Sequence, residues 1–163
     1  MAQGILADEN ADKREQLVEL LKTGYWMEIE TVMNYIAASI NPDGVRAREI
    51  TDNLRTDIQE ELLHAQRFGQ RIKELYGVVP GSLEFPAAQK FLQPPDDQVD
   101  IVHVIKGVIE AERGAIDHYN EILEFCEGLD LVTQDMVIEI LADEQKHLRL
   151  FEGFLREYET KSR

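Results

Sequence analysis

The sequence predicts an all-α protein, a bundle of four long helices built as two antiparallel hairpins joined by a long crossover. Three observations predict it. Four segments of about 25 to 30 residues carry apolar side chains at helical spacing, each about 40 Å long at about 1.5 Å per residue. The five prolines and ten glycines cluster between these segments. The links run short, long, short, and only the middle one can carry the chain the full height of a bundle. Strand patterns are nearly absent. At 163 residues and 18.7 kDa the chain fits one domain, 1–163, large enough to bury a core without disulfide or metal.

The first helix spans about 11–40, with Asn10 as its expected N-cap, and its inner face reads Leu17, Leu21, Tyr25, Glu28, Val32, Tyr35. Asn41-Pro42-Asp43-Gly44 is a turn signal. The second helix spans about 45–76, with Asp43 near its start and Gly77 as its stop. Its inner face reads Ile50, Leu54, Ile58, Glu61, Ala65, Phe68, Ile72, Leu75. The crossover covers 77–97, and 86–92 within it is expected to add one helical turn. After the Pro94-Pro95-Asp96-Asp97 start signal the third helix spans about 98–127, with the stripe Val102, Ile105, Val108, Glu112, Ile116, Tyr119, Leu123, Cys126. Gly128 leads to the fourth helix, about 134–158, with Thr133 as expected cap. Its stripe is Val137, Ile140, Glu144, His147, Phe151, Leu155, Tyr158. The last residues, 161–163, are expected to fray.

Charge and cysteine content exclude several functions. Acids outnumber bases 32 to 17, for a formal net charge of −15, which opposes nucleic acid and anionic membrane and favours cationic partners such as metal ions. Cys126 is the single cysteine, so neither an internal disulfide nor a cysteine-based zinc site can form. Neither a signal-like N-terminus nor a membrane-length apolar run of about eighteen residues is present, so the expected location is cytoplasmic.

The polar residues on the apolar faces carry the chemistry. Each of the four stripes holds a glutamate where burial calls for an apolar side chain, and a lone buried carboxylate is costly unless paired or bound to metal. Two are followed three residues later by histidine, in Glu61-Leu62-Leu63-His64 and Glu144-Gln145-Lys146-His147. That spacing puts both side chains on one helix face. The pattern repeats: Glu28 to Glu61 is 33 residues and Glu112 to Glu144 is 32, while Glu61 to Glu144 and His64 to His147 are both 83. Glu28 and Glu112 each have a tyrosine seven residues on, Tyr35 and Tyr119. Two hairpins with one polar grammar, packed with approximate twofold symmetry, gather four carboxylates and two imidazoles at one level.

A dinuclear metal site needs this set. Carboxylates and neutral imidazoles suit iron or manganese, and four anionic ligands balance two divalent ions. Two carboxylates can bridge while the others cap each metal, leaving positions open for oxygen or peroxide. The same pattern marks di-iron and di-manganese carboxylate bundles.

At these residues the sequence resembles the ferritin-like superfamily over nearly its whole length, and bacterioferritin most. Glu28 with Tyr35 is similar to the first-helix ligand motif. Asp57-Ile58-Gln59-Glu60-Glu61-Leu62-Leu63-His64-Ala65 is similar to the second, Glu112 sits in the third-helix position, and Ala142-Asp143-Glu144-Gln145-Lys146-His147 matches the fourth. The resemblance implies that Glu61 and Glu144 bridge two iron ions (manganese being possible), that Glu28 with His64 completes one metal's shell, and that Glu112 with His147 completes the other's. It implies a ferroxidase that oxidises Fe(II) with oxygen or peroxide, with storage of ferric mineral in a homo-oligomeric shell. A peroxidase or oxygenase that stores nothing, and a metal-stabilised carrier or scaffold without turnover, remain alternatives.

Two departures from bacterioferritin set further expectations. Its haem hangs between subunits from a methionine just after the second-helix bridging glutamate. Leu62 stands there, so no haem is expected. Arg163 lies 16 residues past His147, short of the C-terminal helix of large cages, so a 24-subunit cage is not expected, a twelve-subunit shell stays open, and the oligomer size is not fixed by the sequence. Some miniferritin-like proteins have a cysteine pair near the site, which Cys126 alone cannot supply.

Other residues have more ordinary expectations. Tyr35 and Tyr119 lie within reach of the site, as hydrogen-bond donors or as electron sources. Asp57 and Asp143 could orient a metal-bound histidine or simply face solvent. Glu30, Glu60 and Glu110 are offset from the stripes and expected at the surface or between subunits. His103 and His118 fall off the stripes and are not expected to bind metal. Cys126 reads as a packed core thiol and Trp26 as a subunit contact.

Overall fold

The structure, a computed structural model, describes residues 4–160, so the expected fraying of 161–163 lies outside the described residues. Four helices form the bundle: α1 (Ala11–Ile40), α2 (Arg48–Glu74), α3 (Ile101–Cys126) and α4 (Leu131–Thr160). Among the described residues there is no strand, and no helix is long and apolar enough to cross a membrane. The closest packing is within the pairs α1–α2 and α3–α4, as expected for two antiparallel hairpins. Residues 75–100 carry the chain between them.

The apolar stripes meet in two cores separated by a polar layer. Toward one end Leu17, Leu21, Phe68, Ile72, Ile122, Cys126, Val137 and Ile140 pack together. Toward the other, Ile50, Leu54, Ile101, Ile105, Val108, Phe151 and Tyr158 do so. A fully buried side chain of this kind contributes about 1.5–3 kcal/mol relative to exposure, so the two cores can offset a costly polar layer between them.

The helix ends differ from the sequence expectations. Asn10 closes a short 3-10 turn (Asp8–Asn10) before α1 and its side chain donates to the Gly4 carbonyl, so it is bound to the incoming chain and caps nothing. The second helix starts at Arg48, because residues 41–47 form a longer link in which the Asp43 amide donates to the Gln98 carbonyl. The left-handed residue that ends α2 is Tyr76 (φ 64°), not Gly77. Gly77 is needed for a different reason: a Cβ there would lie 2.8 Å from Val18 Cγ1 and 2.9 Å from Ile72 Cγ2.

α3 starts at Ile101, where the Asp100 carboxylate accepts from the His103 amide. Gly128 (φ 68°) turns the chain sharply, with the Leu129 amide donating to the Cys126 carbonyl. The cap of α4 is Asp130, whose carboxylate accepts from the Val132 and Thr133 amides. Thr133 lies inside the first turn, where its hydroxyl accepts 2.8 Å from Arg71 Nε. Arg71 also makes two 2.9 Å bonds to Asp130, which ties the α3–α4 turn to α2. The helical turn expected at 86–92 is absent; a 3-10 turn occupies Ser82–Glu84 instead, and the rest of the crossover is irregular.

Candidate metal centre

Between the two cores, all six sequence-predicted site residues come together. Glu28 on α1, Glu61 and His64 on α2, Glu112 on α3, and Glu144 and His147 on α4 are each at most 3% exposed. The i, i+3 spacing aims each histidine along the same face as its glutamate. Glu61 reaches both imidazoles, with Oε2 3.7 Å from His64 Nδ1 and Oε1 3.2 Å from His147 Nδ1. Glu144 does the same, with Oε1 3.0 Å from His64 Nδ1 and Oε2 3.5 Å from His147 Nδ1. Glu28 approaches only His64 (3.7 Å) and Glu112 only His147 (3.7 Å). Two overlapping sets result, Glu28–Glu61–His64–Glu144 and Glu61–Glu112–Glu144–His147, whose ligand atoms lie within 4.8 Å of one another.

The donor set fits two cations better than it fits itself. Glu61 Oε1, both Glu144 oxygens and the Nδ1 atoms of His64 and His147 are buried without a completed hydrogen bond. Buried polar atoms are rarely left so. With only protein groups to balance them, protons carry the compensation. Burial pushes the Glu28 carboxyl up, and Glu61 and Glu144 push it further. Burial also pushes Glu112 up, with the neighbouring Glu144 and Glu61 outweighing the opposing effect of the His147 imidazole. For Glu61 burial is overcome by the adjacent Glu28, His147 and His64, which hold it well below the usual carboxylate range. Burial favours neutral imidazoles, yet the carboxylates around His64, led by Glu144, and around His147, led by Glu112, raise both imidazole pKa values. Divalent cations would replace those protons.

A second layer orients the imidazoles, and sequence reasoning found only part of it. The outer Nε2 of His64 meets Asp143 Oδ2 at 3.1 Å. The outer Nε2 of His147 meets Glu60 Oε2 at 2.6 Å and Asp57 Oδ1 at 3.6 Å. A carboxylate at the outer nitrogen leaves Nδ1 free for a metal. Glu60, expected at the surface or between subunits, is therefore part of the site, because a long side chain offset from the stripe on α2 still reaches the neighbouring α4. Its signal was available: Glu60 precedes Asp143 by 83 residues, the offset that relates Glu61 to Glu144. Asp57 is buried, and this burial, opposed by His147 and reinforced by Glu61 and Glu60, raises its pKa to about 6.

The tyrosines pair across the bundle. Tyr35 donates to Glu112 Oε1 at 2.6 Å, and Tyr119 donates to Glu28 Oε1. Each therefore serves the other hairpin's glutamate rather than the one seven residues before it. Burial, then the adjacent glutamates, raise both phenol pKa values, so both remain protonated donors.

Glu30 departs from the surface or subunit-contact expectation. It is 6% exposed, and Oε1 accepts from the amides of Ala88 and Gln89 at 2.8 and 2.7 Å, pinning the crossover to α1. No local pattern marks this, because the partner lies in an irregular segment. Glu110 is exposed and pairs with Arg113 at 3.4 Å. His103 and His118 stay away from the centre, meeting the carbonyls of Gln93 and Leu20. Cys126 is fully buried, and burial pushes its thiol up to about 12. Trp26 packs on Tyr25 and on Phe85 of the crossover.

Comparison with known proteins agrees with this architecture. Bacterioferritin of Desulfovibrio desulfuricans is 27% identical over 149 residues, covering 91% of this chain and 79% of the relative. The DNA protection during starvation protein of Pyrococcus furiosus is 30% identical over 144 residues, covering 86% and 77%. Among solved structures, a dodecameric thioferritin described as the bacterioferritin-related protein of Bacteroides fragilis superposes with a TM-score of 0.82 at 25% identity, covering 96% of this chain and 97% of that one. Residues 18–160 match the ferritin-like domain model, so the chain belongs to the ferritin-like family.

Proposed function

We propose that the protein is a non-haem ferroxidase. It takes up two Fe(II) per chain as substrate at the centre and oxidises them with oxygen or peroxide. The observation that supports this most is the twofold use of Glu61 and Glu144, each with one oxygen toward each imidazole. In this reading Glu61 and Glu144 would bridge two cations, and Glu28 with His64 and Glu112 with His147 would be the terminal pairs. Manganese would suit the same donors.

The chain's own groups divide the work. Asp143, and Glu60 with Asp57, fix the rings so that Nδ1 points inward. Tyr35 and Tyr119 hold one oxygen of each terminal carboxylate and so fix its rotamer. Iron supplies the electrons. The carboxyl protons displaced on Fe(II) uptake leave through the carboxylate layer, and the bulk of the bundle keeps water from the buried atoms.

The dodecameric relative named above supports a homo-oligomer as the assembly, with mineral storage as the further proposal. Nucleic acid is not proposed as a partner, given the net charge of −15. Haem is not proposed either, because Leu62 offers no axial sulfur.

The test is anaerobic loading with Fe(II) followed by oxygen or hydrogen peroxide. Two irons oxidised per chain in the first rapid phase, absent in Glu61→Ala, is the expected outcome. Binding without oxidation would leave a carrier or scaffold.

A further inference from the structure

α1 is apolar on two sides, and the single chain covers only one of them. Leu17, Leu21, Glu28 and Tyr35 face the interior. On the side turned away from it, Trp26, Ile29, Met33, Ile36 and Ile40 recur at spacings of three, four, three and four, which makes one straight seam. Met33 is 52% exposed, Ile36 44% and Ile40 72%, while Trp26 and Ile29 are half-buried. The crossover widens this face. Phe85 packs its ring on Trp26, and Phe91, 41% exposed, lies beside Asn34 and Ala37. A helix that is apolar all round is normally covered all round.

Charge singles out the same face. Across residues 23–42 the only charged side chains are Glu28 and Glu30, and both are buried. The other three helices expose charges, such as Asp52 and Arg55 on α2, Glu110 and Arg113 on α3, and Glu139 on α4. Two copies of a chain with net charge −15 repel, so they approach best where neither brings charge. At about 200 Å² for a large side chain, the exposed fractions of Met33, Ile36, Ile40 and Phe91 amount to roughly 400 Å² of apolar surface. A stable interface takes about 800 Å² from each partner, about 60% of it apolar, so this face is near what a dimer needs.

We infer that the outer face of α1 is the contact with a second copy of this chain, the two α1 helices running antiparallel about a twofold axis at Met33. This deepens the homo-oligomer reading and rests on it, but not on ferroxidase activity. The seam is close to symmetric about Met33: Ile29 and Trp26 lie four and seven residues before it, Ile36 and Ile40 three and seven after. Reversed on itself, it sets Trp26 against Ile40 of the second copy, Ile29 against Ile36, and Met33 against Met33. A self-complementary patch of this kind closes after one pairing. A lipid surface fits it less well, because anionic headgroups would repel so acidic a chain.

The test is cross-linking of the metal-free full chain. The native Cys126 is fully buried, so an introduced surface cysteine supplies the reactive thiol. Diamide takes two electrons and two protons from a pair of thiols as one S–S bond forms. Met33→Cys is expected to form a covalent dimer at least about tenfold faster than Leu63→Cys or Ile138→Cys, since pairing raises the effective concentration of its thiols. Leu63 on α2 and Ile138 on α4 are each 55% exposed, so they match Met33 in access. Native mass spectrometry gives a second readout. Ile36→Asp, which puts a charge in the seam of both copies, is expected to need about 30-fold more protein than the wild type to assemble, with unchanged helix content.

Met33→Cys that cross-links no faster than the two controls would overturn this contact, as would a folded Ile36→Asp that assembles like the wild type. If Ile36→Asp does not fold, Met33→Cys alone decides. In these cases an assembled wild type leaves the homo-oligomer reading standing. A wild-type chain that stays single at every concentration would overturn both.

Discussion

The hairpins α1–α2 and α3–α4 carry the same inner residues and different outer ones. Glu28 and Glu112, like Tyr35 and Tyr119, are 84 apart; Glu61 and Glu144, His64 and His147, and Glu60 and Asp143 are 83 apart. These pairs make equivalent contacts across the bundle. The equivalence stops one shell out. Asp57 adds a second carboxylate behind His147, whereas the matching position behind His64 is Ile140, packed in the core. Glu30 pins the crossover, and its counterpart is Gly114; Thr31 accepts from Gln89 of the crossover, and its counterpart is Ala115. The inner set, proposed to hold two metals, is thus kept near symmetry. One crossover, which can pass only one side of the bundle, makes the surroundings unequal.

The most drastic way to break the symmetry is to remove a shared residue. Glu61→Ala and Glu144→Ala are expected to lose both bound metals, because each removes a carboxylate shared by both sets. Glu28→Ala or Glu112→Ala should chiefly weaken one position. Metal content after anaerobic Fe(II) loading checks this, and retention of two metals in both bridge variants would refute the assignment.

Next in size is the tie between the α3–α4 turn and α2. Arg71 and Asp130 form a buried ion pair, and Asp130→Asn leaves Arg71 with only the exposed Glu74 as a charged partner. Breaking such a pair costs about 3 kcal/mol. Burial opposes ionisation of Asp130, but its bonds to Thr133 and Arg71 outweigh it and hold the pKa below the ordinary value. A lowered folded pKa means stability that is full above the unfolded value of about 4 and is lost as pH falls through the folded one. The wild-type advantage over Asp130→Asn in denaturant melts should therefore be constant near neutrality and shrink below about pH 4. An advantage that grew on acidification would contradict the sign.

Smaller effects are expected from the orienting carboxylates. Loss of such a partner costs about 10–100-fold in metal affinity. Asp143→Asn, which impairs the only carboxylate behind His64, should cost more than Glu60→Gln, since Asp57 still backs His147. Competition with a chromophoric chelator measures both, and equal losses would remove the asymmetry. Smallest is Tyr119→Phe, which takes a donor from Glu28 and should lower the melting midpoint by an amount equivalent to about 1 kcal/mol.

Much of this was legible in the sequence because the inner residues obey helical period. Glu28, Glu61, Glu112 and Glu144 interrupt apolar stripes, and a short-range pattern is enough to see that. Helix ends were less legible. Asp130, and not Thr133, caps α4, and Tyr76, and not Gly77, takes the left-handed turn, since both depend on contacts with α1 or α2. The outer carboxylates and Gln89 were legible least. Their partners lie 55 to 87 residues away, and no local periodicity reports a contact between a helix and an irregular crossover.

Two metal ions per chain are expected in the polar layer. Anaerobic Fe(II) titration of the metal-free protein, followed by thermal melting at each ratio, measures them. Ions that bind the native state alone raise the melting temperature. A folded metal-free bundle is expected, since both apolar cores lie clear of the centre, with a melting temperature that climbs until two Fe(II) per chain are bound. A melting temperature indifferent to Fe(II), or saturation at fewer than two per chain, would contradict it.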